Sequence, residues 1–452
     1  MRTQMTVRLE WGRLAAIAAC AGVLLAFAAG ACYAETVRIA AGPLRVGIAT
    51  ADVTPQGPVS MAGFGFRKKP SEGVYHPLIA SCVVFDNTVT RVAMMTFDLC
   101  YIGKKTVFAD LQAAAQGAKI PPQHLMVNCS HTHSGPSSYD EGYMALFKTR
   151  AAALFAAAAA DLQPAILDYT VGSSTMAVNR RRFDAKGHYV GMLPEPRKSI
   201  DPDVPILRVS ALDGKVRAVL FGYACHPSTM SDYRVGPDYV GYARDWIAAA
   251  YPGCVPVFFQ GCGGDIKTRY VTGNGKFGFV MLPPEAVTAE LGHELGRAVV
   301  AALAVPPGLV PADRPQAMPE AIKTPIQLGG IIEEINVPDR KQPDKRVHPL
   351  VAGAWRVGDV YFIGSQCEIG SQIGLRIKSE MAGGRVWTNG YTHYGAGYFL
   401  DAASFPEGGY EIENGFVGPG AEDILVGNVV RFVRALKAGR TGQGPIAEPA
   451  GK

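Results

Sequence analysis

The sequence predicts an α/β protein with a mixed sheet and flanking helices. Short apolar runs with the composition of buried strands alternate with longer stretches of helical pattern. Ser81 to Phe85 and Arg91 to Phe97 flank Asp86-Asn87-Thr88 and predict a hairpin. The chain shows no internal sequence repeat. The predicted helices are Lys105 to Ala118, Tyr143 to Leu162, Tyr239 to Ala250, Pro284 to Leu303 and Ala421 to Leu436.

Polar residues directly follow five of the apolar runs. The first run, Leu125 to Cys129, ends at His131-Thr132-His133-Ser134-Gly135-Pro136. In open α/β sheets ligands bind beyond the carboxyl ends of the strands, so the five segments are expected to form the sides of one site. The four later segments contain His226, Gly261 to Asp265, Glu368 and Asn389 to Tyr394.

The histidine pair indicates a metal. His131 and His133 are two residues apart, so in extended chain both side chains lie on one face. The pair alone is weak, because a metal site requires further ligands, and the four later segments offer candidates for them, His226 and Glu368 among these. The glycine-rich segment before Asp265 lacks the Gly-Lys-Ser/Thr ending of a phosphate loop, so we expect Asp265 to orient a ligand histidine instead.

The ordered series of motifs resembles the neutral and alkaline (non-lysosomal) ceramidases, zinc amidases that cleave the N-acyl bond of ceramide. The resemblance runs from about Val46 to Leu436 and covers the catalytic domain, without the C-terminal β-sandwich usual in the family. The matching segments are Gly47 to Pro55, Met61 to Phe64, Phe97 to Leu99, His131 to Pro136, Asn179-Arg180, Cys225 to Pro227, Asp238 to Arg244 and Gly264-Asp265.

The resemblance implies a role for individual residues. It implies that zinc is held by His131, His226, Glu368 and Tyr394. Two imidazoles, a carboxylate and a phenolate are donors that suit Zn²⁺. His133 would then donate or accept protons beside the metal, and Arg180 would bind the polar end of the substrate or its developing oxyanion. With Asp265, these two residues form the predicted catalytic group.

One residue departs from the family pattern. Members carry a serine, taken to act in catalysis, two residues after the Gly-Asp dipeptide, where this chain has Lys267. A lysine cannot replace that hydroxyl as the nucleophile, whereas a water activated by zinc attacks without it. Lys267 is therefore predicted to bind a charged group of the substrate, the alternative being a solvated lysine.

These residues predict a secreted zinc-dependent hydrolase that cleaves an amide, most simply the N-acyl bond of ceramide or a ceramide-like lipid. Two alternatives stay open: a catalytically altered protein that binds an amphiphile or a sugar, and a hydrolase of another ester or amide. The expected partner is a small-molecule or lipid substrate, with transient contact to a membrane surface. Nucleic acid is not expected, because its binding proteins usually have a concentrated basic surface. Here the net charge is only +5, and the densest basic cluster is the short run Arg180-Arg181-Arg182.

The ends of the chain indicate a signal peptide and a tail. Arg2, Arg8 and Arg13 precede the apolar stretch Leu14 to Ala31, and Cys32-Tyr33-Ala34 is a tolerable cleavage signal. A membrane anchor and lipidation at Cys32 are the alternatives. The predicted organisation is a signal peptide over 1–34, a single catalytic domain over 35–438 and a disordered tail over 439–452. This places the mature protein outside the cell or in the periplasm.

Two further expectations concern thiols and loops. Seven cysteines follow the predicted cleavage site, an odd number that cannot pair completely. Those close to the predicted site make a thiolate ligand an alternative, although none has Cys-x-x-Cys spacing; they are Cys129, Cys225, Cys262 and Cys367. The segment Gly329 to Arg346, with its charges and prolines, predicts a surface loop.

Overall fold

Strands and helices alternate along the chain, as the sequence predicts. The computed structural model describes residues 37–40, 43–269, 283–304, 326–395 and 397–440. Its strands are β1 (Val37–Ala40), β2 (Arg45–Asp52), β3 (Gly73–Val74), β4 (Ile79–Asp86), β5 (Arg91–Phe97), β6 (Leu125–Cys129), β7 (Gln163–Pro164), β8 (Ile166–Ser173), β9 (Ala177–Asn179), β10 (Arg181–Phe183), β11 (Tyr189–Met192), β12 (Asp203–Ser210), β13 (Val216–Tyr223), β14 (Arg234–Val235), β15 (Val255–Gln260), β16 (Ile266–Thr268), β17 (Leu328–Pro338), β18 (Val347–Val357), β19 (Val360–Ser365), β20 (Glu368–Ile369), β21 (Arg385–Asn389) and β22 (Tyr398–Phe399). Its helices are α1 (Lys105–Gly117), α2 (Glu141–Ala160), α3 (Tyr239–Ala250), α4 (Pro284–Leu303), α5 (Ser371–Glu380), α6 (Tyr410–Glu413) and α7 (Ala421–Lys437).

Three large sheets share one topology. Their strand orders are β6-β5-β4-β2-β7, β1-β8-β12-β13-β15 and β17-β18-β19-β21. In each sheet, three consecutive long strands pair antiparallel, and a helix then leads to a strand that pairs parallel with the third of them. The parallel pairs are β5 with β6, β13 with β15, and β19 with β21. The chain therefore repeats one ββ-βαβ arrangement three times, although the sequence shows no repeat.

Helix packing follows the same repeat. Each crossover helix packs against the next long helix of its unit, so the helix pairs are α1 with α2, α3 with α4, and α5 with α7. Helix α2 begins where Asp140 accepts a hydrogen bond from the Tyr143 N–H at 3.1 Å, and its alanine run continues it. One apolar core lies between the second sheet and its helices, and another lies between the third sheet and its helices. A further core contains residues of all three sheets.

The structure confirms most of the predicted elements. The five predicted helices are present with ends that differ by at most two residues, and β4 and β5 form the predicted hairpin. The interpretation of Gly329 to Arg346 as a loop was wrong: its first ten residues belong to β17, a strand paired along its length with β18. Its glycines pack against neighbouring groups, and a Cβ at Gly330 would lie 2.3 Å from the Gln123 carbonyl oxygen.

The described residues belong to one compact unit, and no helix within them is long and apolar enough to cross a bilayer. The predicted signal peptide lies outside the described residues, as does the tail beyond residue 440.

One buried amide joins the three sheets where their parallel strands end. Asn128, at the end of β6, donates from Nδ2 to the carbonyl oxygens of Gln260 at 3.2 Å and of Gly390 at 2.9 Å. Its Oδ1 accepts from the Gln260 N–H at 2.8 Å. Gln260 ends β15, and Gly390 follows β21. The side chain is fully buried, so each of these bonds satisfies a backbone group out of reach of water.

We predict that Asn128→Ala lowers the free energy of unfolding by about 2 to 5 kcal/mol, because it leaves buried backbone groups at two strand ends without partners. Chemical denaturation monitored by fluorescence measures it. Asn414→Ala is the control, since Asn414 is exposed and bonds only one turn back to the Tyr410 carbonyl. Equal stability of the two variants would contradict the joining role of Asn128.

Candidate metal centre

Three side chains from the three sheets meet at one point. His131 follows β6, His226 follows β13, and Glu368 begins β20 just after β19. The Glu368 Oε2 atom lies 3.2 Å from the His131 Nε2 and 3.1 Å from the His226 Nε2. All three residues are buried, and one ligand atom of each lies within 4.8 Å of the others. The spacing and the donor types are those of a site for a divalent metal.

Backbone carbonyls fix how the two imidazoles face this point. The His131 Nδ1–H donates to the Cys100 carbonyl at 3.0 Å, and the His226 Nδ1–H donates to the carbonyls of Gly263 at 2.7 Å and Ile266 at 3.0 Å. In this tautomer each Nε2 keeps its lone pair for a metal. Such outer hydrogen bonds orient the histidines of metal sites and make them better ligands.

The negative charge of Glu368 in this cluster is balanced by a proton on His131, at the place where a metal would bind. Burial opposes charge on all three groups, but the Cys100 thiol and the Glu368 carboxylate hold the pKa of His131 well above its usual range. The two imidazoles hold the pKa of Glu368 well below its own range. Burial and the charge of Arg180 lower the pKa of His226 to about 4. A divalent cation would take the place of the His131 proton, which ties metal affinity to pH.

The tyrosine of the centre is Tyr391, and the structure does not bring Tyr394 to it. The Tyr391 ring centroid lies 4.3 Å from that of His131, and its hydroxyl is buried with no hydrogen-bond partner among the described residues. The Tyr394 ring centroid instead lies 6.1 Å from that of Phe108, and burial, with the charge of Glu334, raises the pKa of Tyr394 to about 12. A tyrosine three residues further along has turned away from the strand end.

Tyr391, and not Tyr394, lies at the centre because it occupies the position of the repeat that is equivalent to His131. His131 and Tyr391 each stand two residues after a parallel strand, β6 or β21. Each N–H donates at 2.9 Å to a carbonyl of the neighbouring strand end, Leu99 for His131 and Cys367 for Tyr391. Each residue also has positive φ, +64° and +56°. Positive φ is strained for such side chains and is found at functional sites. The shared spacing is the sequence signal that identifies Tyr391.

Gly264 lets the second and third units approach closely at the centre. A Cβ at this position would lie 2.4 Å from the Glu368 carbonyl oxygen. The Gly264 N–H donates to the Ile369 carbonyl at 2.8 Å, which fixes the strand that bears Glu368. Gly264 therefore allows a close approach between two backbone segments that a larger residue would prevent.

His133 lies beside the cluster, in contact with His131. Its Nε2 is 3.2 Å from the His131 Nε2, and its ring meets Phe64 edge-on at 5.0 Å. Its N–H donates to the Pro227 carbonyl at 2.9 Å. Burial and the charges of His131 and His226 hold the pKa of His133 well below its usual range, so the ring is neutral. The proton-transfer role of His133 stays a prediction.

Arg180 is buried beside the centre in a group of charged side chains. Its Nε donates to Glu411 at 2.7 Å, and the neighbouring Arg181 donates to the other Glu411 oxygen, also at 2.7 Å. The Arg180 guanidinium lies over the Tyr398 ring, 5.4 Å from its centroid, and that ring stacks on His226. Sequence reasoning missed Glu411 and Tyr398, because they lie in a four-residue helix and a two-residue strand with no local motif.

The structure does not place Asp265 against a ligand histidine. Its oxygens accept hydrogen bonds from Asn179 Nδ2 at 2.8 Å and from the Ser371 N–H and hydroxyl at 2.7 and 3.0 Å. Its backbone carbonyl accepts the Arg180 N–H at 2.9 Å. The expectation that Asp265 orients a histidine directly is therefore corrected: backbone carbonyls on either side of it do so. Asp265 instead holds together the segments that carry Arg180 and Glu368.

Lys267 lies next to the ligand His226. It belongs to β16, bridges His226 in the backbone ladder and pairs in register with Val178 of β9. Burial and the charge of Arg180 lower its pKa to about 8, so it remains mostly protonated at neutral pH. The lysine is half-buried beside the candidate centre, and its binding of a charged substrate group stays a prediction.

The cysteines are buried thiols. All seven described cysteines are free, and the one that joins the cluster is Cys100, which no motif identified. Its Sγ lies 3.4 Å from the His131 Nδ1. This contact is on the side of the ring that faces away from Glu368. The alternative of a thiolate ligand therefore receives no support at Cys129, Cys225, Cys262 or Cys367.

Solved ceramidase structures have this fold. The neutral ceramidase from Pseudomonas aeruginosa superposes with a TM-score of 0.73 at 18% identity, over 90% of this chain and 76% of that chain. A ceramidase complexed with C2 gives a TM-score of 0.72 at 18% identity, over 90% of this chain and 77% of that one. No family model and no curated protein matches the sequence. The expected ceramidase-like α/β fold is confirmed.

We predict that Tyr391→Phe weakens zinc binding by about 10- to 100-fold or more, whereas Tyr394→Phe leaves it unchanged, because only the first removes a hydroxyl at the centre. Competition with a fluorescent chelator measures the affinity, and His226→Ala serves as the reference for loss of a ligand. The reverse order of the two tyrosine variants would restore Tyr394 to the ligand set.

Proposed function

We propose that this protein is a zinc-dependent hydrolase that cleaves the N-acyl amide bond of a ceramide-like lipid. The observation that carries the proposal is the convergence of His131, His226 and Glu368, with both Nε2 atoms directed at one carboxylate oxygen, in a fold shared with neutral ceramidases.

Zinc fits the residues present. Two imidazoles, which are neutral when they bind a metal, one carboxylate and the buried Tyr391 hydroxyl, which has no hydrogen bond among the described residues, give four N and O donors. When bound, zinc supplies a Lewis acid for the carbonyl oxygen and a water with a pKa near 7. Lys267 in place of the family serine is compatible with this chemistry, since no hydroxyl nucleophile is required.

His133 transfers the proton in this proposal. Its imidazole is neutral, lies against His131 and is held by its N–H bond to Pro227 and by Phe64. It can accept a proton from the attacking water and return it to the amine that leaves. Amide cleavage needs that second transfer, because an amide anion is too basic to leave unprotonated.

Arg180 binds the oxygen on which negative charge develops, or the polar end of the substrate. Its Nη2 atom is buried with no hydrogen bond among the described residues, so it has a donor available. Glu411 and the Tyr398 ring keep the guanidinium in place. A donor held in position before the reaction stabilises developing charge at little reorganisation cost.

Export and partners complete the proposal. The basic residues and apolar stretch within residues 1–34 support secretion or export to the periplasm. The substrate is a small molecule or lipid, reached by transient contact with a membrane surface. Nucleic acid is not proposed as a partner.

We expect purified protein to hydrolyse a short fluorescent N-acylsphingosine, to lose this activity with a chelator and to regain it with added zinc. Fluorescence after separation of the free acyl chain measures turnover, and elemental analysis measures bound metal. A protein that retains zinc and binds the lipid without cleaving it would favour the alternative, an amphiphile-binding protein on the same fold.

His133→Ala is expected to retain its zinc while kcat falls by about 10² to 10⁴, the usual value for a positioned acid or base. Steady-state kinetics with metal analysis on the same sample separates the two effects. Loss of zinc from this variant would make His133 a ligand.

A further inference from the structure

On the polar side of the candidate site, two neighbouring arginines have different numbers of hydrogen-bond acceptors. A single carboxylate, Glu411, gives one oxygen to Arg180 and the other to Arg181, both at 2.7 Å. Arg181 has two more acceptors, Glu407 at 3.2 Å and the Gly408 carbonyl at 2.8 Å. Arg180 has none of these, and its buried Nη2 makes no hydrogen bond within the described chain. Each arginine thus has one buried nitrogen with no hydrogen bond among the described residues, Nη2 of Arg180 and Nε of Arg181, and only Arg180 also lies over the Tyr398 ring that stacks on His226.

Lys267 adds a second positive charge on the same side. The ladder from His226 through Lys267 to Val178 places it between a metal ligand and the strand that leads to Arg180. The two cations are close enough for their charges to act on each other. Asp238, whose charge attracts Lys267, already accepts hydrogen bonds from three backbone N–H groups. This part of the site is built for negative charge.

We propose that Arg180 and Lys267 together bind an anionic group of the substrate, so that the substrate is an N-acyl amide with a carboxylate or phosphate on its amine side. The inference rests on the proposed function: because the acyl chain of such a lipid is apolar, the charge must be on the amine. Charge-assisted hydrogen bonds from these two cations to an anion are shorter and stronger than hydrogen bonds to neutral groups. The uncharged hydroxyls of ceramide are such neutral groups.

Three substrates with one acyl chain test this on the zinc-loaded protein: N-lauroylglycine, N-lauroylethanolamine and its O-phosphate. We expect kcat/KM to be about 10- to 100-fold higher for an anionic substrate than for the neutral alcohol, the value of a hydrogen bond between charged groups. The two anionic substrates distinguish a carboxylate from a phosphate.

Variants locate the source of the preference. Lys267→Met should reduce the ratio of anionic to neutral kcat/KM by about 10-fold, and Lys267→Arg should retain most of it. Lys198→Met is the matched control, because Lys198 pairs with Glu407 on the far side of Arg181 and its loss removes the same charge. Zinc content is measured for every variant, so that loss of metal is recognised.

Equal rates on neutral and anionic substrates, or an unchanged ratio in a folded Lys267→Met variant, would overturn the inference. If none of the amides is hydrolysed in a reaction that a chelator stops, the proposed function is contradicted instead. In that case calorimetric binding of N-lauroylglycine and N-lauroylethanolamine to the zinc-loaded protein still measures the preference, and equal affinities would overturn it.

Discussion

The geometry of the candidate centre depends on the side chain of Asn128. This buried amide bonds to the ends of the parallel strands of the second and third sheets while belonging to the end of the first. The ligands stand two or three residues beyond strand ends, so a slip between sheets would separate them directly. Because metal–ligand distances vary by only about 0.2 Å, a site assembled from three sheets needs such a fixed point. An amide suits this purpose, since it donates and accepts without bringing a charge into the core.

The threefold repeat explains why these residue positions meet. Cys100, His226 and Glu368 each stand three residues after the third strand of a unit, β5, β13 or β19, and His131, Cys262 and Tyr391 each stand two residues after the parallel strand. The repeat thus directs six positions to the middle of the fold, where two are occupied by cysteines and four by the proposed ligands. His131 and Tyr391 share even the positive φ. Strain at both positions indicates that the backbone conformation belongs to the fold and the chemistry to the side chain placed on it.

The sequence predicts the helices, one hairpin and the segments around the site, because apolar periodicity and strand ends are local features. It does not predict which tyrosine faces the metal, since Tyr391 and Tyr394 lie in one polar segment and a left-handed turn at Tyr391 decides between them. The predicted role of Asp265 is wrong for a similar reason. Backbone carbonyls orient His226, and their positions cannot be inferred from residue types. Nor does the sequence reveal the repeat, because each unit needs apolar residues on its strands but no particular ones. Glycine in β17 is typical of a loop in the sequence, and only the structure explains it, by the close packing of Gly330 against Gln123 and Trp355.

The fold places the metal ligands, and individual charged residues then decide what approaches them. Two buried arginines that share Glu411 are costly to desolvate, and such a group is rarely a net gain in stability. Its presence beside the centre is better explained by what it positions, because Glu411 and Tyr398 hold Arg180 while its Nη2 makes no hydrogen bond with the described residues. Lys267 changes the balance further, since it brings a charge beside His226, where the resemblance to the ceramidases implies a serine. A shared fold with neutral ceramidases is therefore compatible with a different substrate: in the proposed function the metal and the proton acceptor act on the amide, whereas selectivity depends on the charge that faces its amine side.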